Sequence, residues 1–143
     1  MSQDATHMDT TISRAAPADL DALGVLFDAY RQFYGQAPDV ARARRWLRER
    51  LRFGESVVLL ARRGDAPAGF VQLYPMYSSV RMARTWILND LYVDPGVRRQ
   101  GVARALLDAA AGFAREDGAA GISLETTVDN TAARALYSSA GWK

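Results

Sequence analysis

The sequence predicts an α/β fold, of the α+β kind, in which a mixed sheet carries helices on its faces. Three observations predict it. Apolar residues alternate between strand and helix spacing in the order βααβββαβα. A Gly64-Asp65 turn joins two Val- and Leu-rich runs into a hairpin. From Thr85 onward a strand leads through a turn into a long helix and then into another strand.

Thr11 to Arg14 reads as a short first strand. Pro17 suits a first helical turn. Leu20, Leu23, Phe27 and Tyr30 follow at spacings of three or four, so a helix is expected from Pro17 to about Tyr34. Gly35 to Pro38 breaks it. A second helix is expected over Asp39 to Phe53, with Val40, Ala43, Leu47 and Leu51 as its buried stripe and Gly54 as its end. Ser56 to Arg62 and Ala68 to Tyr74 form the hairpin arms. Thr85 to Val93 is a further strand, ended by Pro95-Gly96. Gly101 to Asp117 is a helix with Val102, Leu106, Ala110 and Phe113 on one stripe, closed by Gly118. Ile122 to Val128 reads as a strand. Asn130 to Ala140 reads as the last helix, with Ala133, Leu136, Tyr137 and Ala140 on its apolar side.

The chain has 143 residues, which suits one domain at 11–143 behind a flexible tail at 1–10. It is 49% hydrophobic and 24% charged, an ordinary globular balance. No apolar run approaches the ~18 residues of a membrane span. Met1 to Asp9 lacks a secretory pattern, so a cytoplasmic protein is expected. Cysteine is absent, which excludes disulfides, thiolate metal sites and a cysteine nucleophile. His7, the sole histidine, lies in the tail, so neither a histidine metal site nor a Ser-His-Asp triad is expected. These absences favour chemistry without a metal or a covalent intermediate. The net charge is +2, and arginine supplies all basic residues except Lys143. Arginines crowd between Arg42 and Arg52. They suit an anion- or nucleic-acid-binding helix or a solvated helix face, and the apolar spacing beneath them favours the solvated face.

Arg98-Arg99-Gln100-Gly101-Val102-Ala103 lies between a strand and a helix. Amides that open a helix lack intrahelical partners and sit at the positive end of its dipole. A pyrophosphate can satisfy several of them together. Gly101 allows close approach, Ala103 keeps the first turn narrow, and Arg98, Arg99 and Arg104 add positive charge. The preceding strand is apolar except for Asn89 and Asp90. That pair either faces a cleft or marks an irregular, solvated stretch. Asn130 and Tyr137 lie about 10 Å apart along one side of the last helix. Asn130 also suits a plain helix cap, and Tyr137 a core aromatic.

Together these residues resemble the GNAT superfamily of N-acetyltransferases, by motif over Thr85 to Trp142 and by element order elsewhere. The resemblance implies a mixed, mostly antiparallel central sheet flanked by helices. It implies acetyl-CoA as cosubstrate, its pyrophosphate on Arg98 to Arg104, including Gln100, Gly101, Val102 and Ala103. Leu91, Tyr92 and Val93 would pair with the pantetheine arm, and an amide near Val93 would polarise the thioester carbonyl. The signature N-x-x-A-x-x-L-Y-x-x-x-G-F/W fits Asn130 to Trp142, placing Asn130 by the cofactor and Tyr137 by the sulfur. Direct attack by an amine in a ternary complex follows, and this suits a chain without cysteine.

Two residues carry the expected catalysis. Asp90 resembles an acidic position of polyamine-type members, as base or as binding group for a cationic acceptor. Tyr137 would donate to the departing thiolate. Tyr30, Tyr34 and Asn89, with Asp90, are the expected acceptor-binding residues, since the first two helices shape that pocket in the family. The subgroup resembled is that of bacterial members allied to histone and polyamine acetyltransferases. A non-catalytic acyl-CoA-binding sensor or scaffold is the alternative. It would keep the pyrophosphate turn without needing Tyr137 or Asp90. No metal, membrane or nucleic-acid partner is expected. Family members continue beyond Gly-Trp with a strand pair, missing here after Lys143. The strand from Ile122 is then expected to have an unfinished edge, explained by a shortened chain or covered by a second subunit as a homodimer.

Overall fold

Strand alternation and strand order together decide what each face of the sheet buries. A computed structural model describes residues 9–98 and 101–125. Strands β1 (Thr10–Arg14), β2 (Val57–Arg63), β3 (Ala66–Ser78), β4 (Ala83–Val93) and β5 (Gly121–Leu124) form one sheet in the order β1-β2-β3-β4-β5. All neighbours are antiparallel except β4 and β5, which are parallel. Helices α1 (Leu20–Phe33) and α2 (Val40–Arg52) are joined to Val58, Leu60, Phe70 and Tyr92 in one core. Helix α3 (Val102–Asp117) covers the other face, burying Val102, Leu106, Leu107 and Ala110 against Leu59, Val71, Leu73 and Leu88. This is the mixed, mostly antiparallel sheet flanked by helices that the sequence predicts.

Helix α1 begins later than expected. Pro17 lies in a 3-10 turn, Pro17–Asp19, before the α-helix starts at Leu20. Asp19 Oδ2 there accepts the Ala16 N–H at 2.8 Å. Helix α2 is capped by Asp39, whose carboxylate accepts the Arg42 N–H at 3.1 Å. Its stripe needs one correction. Ala43 and Leu47 are buried and Leu51 packs at the margin, but Val40 is 40% exposed in the first turn. Leu23 and Leu47 are fully buried, each worth about 2 kcal/mol of apolar transfer.

The hairpin turn is the Gly64-Asp65 pair, with Gly64 at φ 60°. Strand β3 runs on past Tyr74 to Ser78, through Pro75. β2 begins at Val57 opposite Leu73, so among the described residues β3 beyond Leu73 is an edge on that side and proline removes no ladder bond there. At Gly69 β3 leaves no room for a side chain. A Cβ built on it would stand 2.5 Å from the Tyr92 carbonyl oxygen.

The start of β4 is tied to the end of α3. Arg84 donates to both Asp117 oxygens, at 2.5 and 3.1 Å, and the Trp86 indole N–H donates to Asp117 at 2.9 Å. The last expected helix, Asn130 to Ala140, lies outside the described residues, as does the end of the strand expected to reach Val128.

Candidate active site

The site starts from one extra residue in β4. Gln72 pairs with Asp90 and Leu73 with Leu88, so Asn89 is a bulge without a partner on β3. The bulge shifts the alternation. Leu88 packs against α3, and in unbroken two-residue alternation Asp90 would follow it to that face. Instead Leu91 and Val93 turn towards α3, while Asp90 and Tyr92 face α1 and α2. Asn89 is thus an exposed irregularity in the strand, and Asp90 is directed inward, 8% exposed.

Asp90 is surrounded by donors. The Tyr30 hydroxyl donates to Oδ1 at 2.8 Å, and Asn89 Nδ2 donates to the same oxygen at 3.2 Å. Gln72 Nε2 donates to Oδ2 at 2.8 Å, and Ser56 Oγ donates to Gln72 Oε1 at 2.8 Å. Tyr30 thus joins α1 to β4, while its ring lies edge-on to Tyr34, Phe70 and Tyr92. Tyr34 is 46% exposed and touches Phe33 in turn, so an aromatic row leads from solvent to the carboxylate. Tyr74 lies two residues along β3 from Gln72, on the same face. Its phenol is pushed up to about 12, first by burial and then by the charge of Asp90, with Arg50 opposing.

Helix α3 supplies the second half. Gly101 is its N-cap, with φ 81° and open space where a Cβ would lie. The helical ladder opens with Ala105 N–H donating to the Gly101 carbonyl at 3.0 Å. The amides of Val102, Ala103 and Arg104 precede that bond and are the donors an anion can meet. Arg98 lies in extended backbone; its Nε donates to the Val93 carbonyl at 3.1 Å and its guanidinium lies over the Tyr92 ring. Arg104 is half exposed, with Asp108 Oδ1 at 3.5 Å. Burial, the largest cause, holds the Tyr92 phenol above its usual value.

Among the described residues β5 pairs with β4 from Thr85 to Leu88, and Glu125 N–H donates to the Leu88 carbonyl at 3.0 Å. Among the described residues no strand pairs with Leu91, Tyr92 and Val93 on the β5 side, where Arg98 Nε meets the Val93 carbonyl. The described geometry therefore brings together Tyr30, Asn89 and Asp90 on one side. It sets this stretch of β4 and the α3 N-terminus on the other. Arg99, Gln100, Asn130 and Tyr137 lie outside the described residues.

Sequence reasoning passed over Gln72, Ser56 and Tyr74. A signal for Gln72 was present: it is the polar residue within the apolar run Phe70-Val71-Gln72-Leu73. A cavity of about 590 Å³ lies elsewhere, lined by Leu20, Arg48, Leu51 and Arg52 near the end of α2. It touches the site residues only through Ser56 in its wall.

Known proteins share this fold. The acetyltransferase (GNAT) family pattern matches residues 23–142. An uncharacterized N-acetyltransferase of Bacillus subtilis (strain 168), YhfO, is 43% identical over 132 residues, covering 92% of this chain and 89% of that protein. The crystal structure of a probable acetyltransferase superposes with a TM-score of 0.87 at 44% identity, over 93% of this chain and 89% of that one. A ribosomal-protein-alanine N-acetyltransferase from Brucella melitensis biovar Abortus 2308 superposes with a TM-score of 0.79 at 26% identity, over 92% and 90%. With its family pattern, its 43% relative and its sheet in agreement, the chain belongs to the acetyltransferase (GNAT) family.

Proposed function

We propose that this protein moves an acetyl group from acetyl-CoA to a primary amine, by direct attack of the amine in a ternary complex. The observation that carries the reading is the Asn89 bulge, which turns Asp90 towards α1 beneath the Tyr30 hydroxyl. Acetyl-CoA is the cosubstrate the family implies, and it supplies a thioester carbonyl activated towards amines. The open turn at Gly101 and the amides of Val102, Ala103 and Arg104 suit its pyrophosphate, with Arg98, Arg99, Gln100 and Arg104 adding donors and charge. The backbone of Leu91, Tyr92 and Val93 would hold the pantetheine arm along β4, beyond its described pairing with β5. Asn130 would stand beside it.

Asp90 is the acceptor group. An alkylamine with pKa ~10.4 reaches the site as an ammonium ion and has to lose a proton before attack. A carboxylate first attracts that cation and then takes the proton, directly or through a water. Tyr30, Tyr34 and Asn89 frame the approach, and the aromatic row suits an organic cation. Tyr137 would donate a hydrogen bond to the sulfur as charge builds there. Tyr137→Phe should lower kcat on the order of 10- to 1000-fold, with acetyl-CoA binding little changed. An unaltered kcat would remove Tyr137 from the mechanism.

The test is thiol release from acetyl-CoA across a panel of amines: polyamines, amino sugars, amino acids, and peptides offering lysine or an N-terminal alanine. The alanine peptide is included because one relative is named for acting on ribosomal-protein alanine. Release with at least one amine, dependent on Asp90, supports the reading. Tight acetyl-CoA binding without release on any amine would favour a sensor or scaffold instead.

A further inference from the structure

Gln72 is fully buried in the middle of β3, flanked by Val71 and Leu73. A buried amide left unpaired costs about 1–3 kcal/mol, so an amide here needs partners. Both of its ends have one. Ser56 Oγ donates to Oε1 at 2.8 Å, and Nε2 donates to Asp90 Oδ2 at 2.8 Å. The carboxylate at the far end dictates the direction. It only accepts, so the amide nitrogen faces Asp90, the amide oxygen faces Ser56, and the Ser56 hydroxyl must donate. Donors therefore run one way across the sheet, from the residue before β2 through β3 to β4. Each bond polarises the next, which strengthens the hold on the carboxylate.

The two Asp90 oxygens are not equivalent. Oδ1 accepts from Tyr30 and Asn89, whereas Oδ2 accepts from Gln72 alone among the described residues. Oδ2 is thus the oxygen with capacity left for a further donor. From these contacts we propose that Gln72, oriented by Ser56, is a positioning residue that holds the Asp90 carboxyl so that Oδ2 meets the acceptor amine. The inference rests on the acetyl-transfer reading above and names the group that aims its carboxylate.

Gln72→Met keeps an unbranched side chain of similar length and removes the donor. Ser56→Ala leaves Gln72 in place and frees its orientation. Each variant is measured three ways: steady-state kinetics with the best amine of the panel, the NMR chemical shift of the Asp90 carboxyl carbon at neutral pH, and thermal unfolding. Gln72→Met is expected to raise the acceptor KM on the order of tenfold, with the acetyl-CoA KM unchanged. The Asp90 carboxyl-carbon signal should move from its position in the unaltered protein, because a donor to Oδ2 is gone. Ser56→Ala should move both readouts the same way by less, and it carries the test if Gln72→Met does not fold. Lower thermal stability with an unchanged acceptor KM and an unmoved Asp90 signal would reduce Gln72 to core structure and overturn the proposal. If no amine is acetylated by the unaltered protein, the acetyl-transfer reading fails by itself. The NMR shift then still decides whether Gln72 governs Asp90.

Discussion

Asp90→Asn retains the shape of the side chain and removes its charge. The Asn89 and Tyr30 donors can keep one partner, but the amide can no longer attract a cation or take its proton. The expected outcome is a fall in kcat/KM for the amine on the order of 100-fold, with acetyl-CoA binding unchanged when measured by calorimetry. Tyr74 reports on the same charge from β3. Its phenol lies at about 12, raised by burial and then by Asp90, so Asp90→Asn should bring its phenolate absorbance in at lower pH while leaving the burial part of the shift. Unmoved Tyr74 absorbance would show that the two groups do not feel each other. The polar pair Asn89-Asp90 was legible as a local anomaly in an apolar strand. Which of the two turned inward was not, because that depends on pairing with a strand formed earlier in the chain.

At the scale of elements, the bulge and the α1–α2 connection set the geometry. Deleting Asn89 would restore regular alternation with Asp90 still facing α1, since Leu88 and Leu91 would then keep their face. The strand would lose its local bend and the added twist of the bulge. A folded, thermally stable protein without thiol-release activity is expected. Retained activity would show that the site does not depend on the bulge. The α1–α2 connection is held by Asp28, which is 1% exposed. It accepts from Arg31 at 2.9 Å, Gln32 at 3.0 Å and the Asp39 N–H at 2.9 Å. Asp28→Ala leaves those donors without their acceptor and should cost about 3 kcal/mol in urea unfolding. Hydrophobic spacing found α1 and its apolar stripe. It gave no sign that a carboxylate on the buried side pins the next helix, because that partnership is set by the loop's path rather than by periodicity.

At the scale of the whole molecule, the joint between α3 and β4 makes stability depend on acid. The Trp86 indole N–H, and then Arg84, hold the Asp117 carboxyl below its ordinary value of 3.8. A lowered folded value means the folded state resists that proton. The stabilisation is therefore present above pH 3.8 and is lost as pH falls through the lower folded value. Asp19 acts in the same direction, held first by the Ala16 N–H and then by Arg62. Asp117→Asn should lower stability at neutral pH and flatten the acid limb of a plot of unfolding midpoint against pH. An acid limb of unchanged slope would show that the joint does not carry this dependence.

Local chemistry fixed the list of described elements. Helical spacing marked α1, α2 and α3, the Gly64-Asp65 turn marked the hairpin, and the glycine at 101 marked the turn into α3. Each of these signals lies within a few residues of chain, so the sequence alone determined them and the family they resemble. Tertiary structure decided which side chains meet. Tyr30 reaches Asp90 across sixty positions and Gln72 reaches it across eighteen. The break in alternation at Asn89 put Asp90 on the face where those contacts form. Register and bulges arise from pairing between distant segments, and a two-residue alternation read along one strand cannot reveal which face its partner will cover.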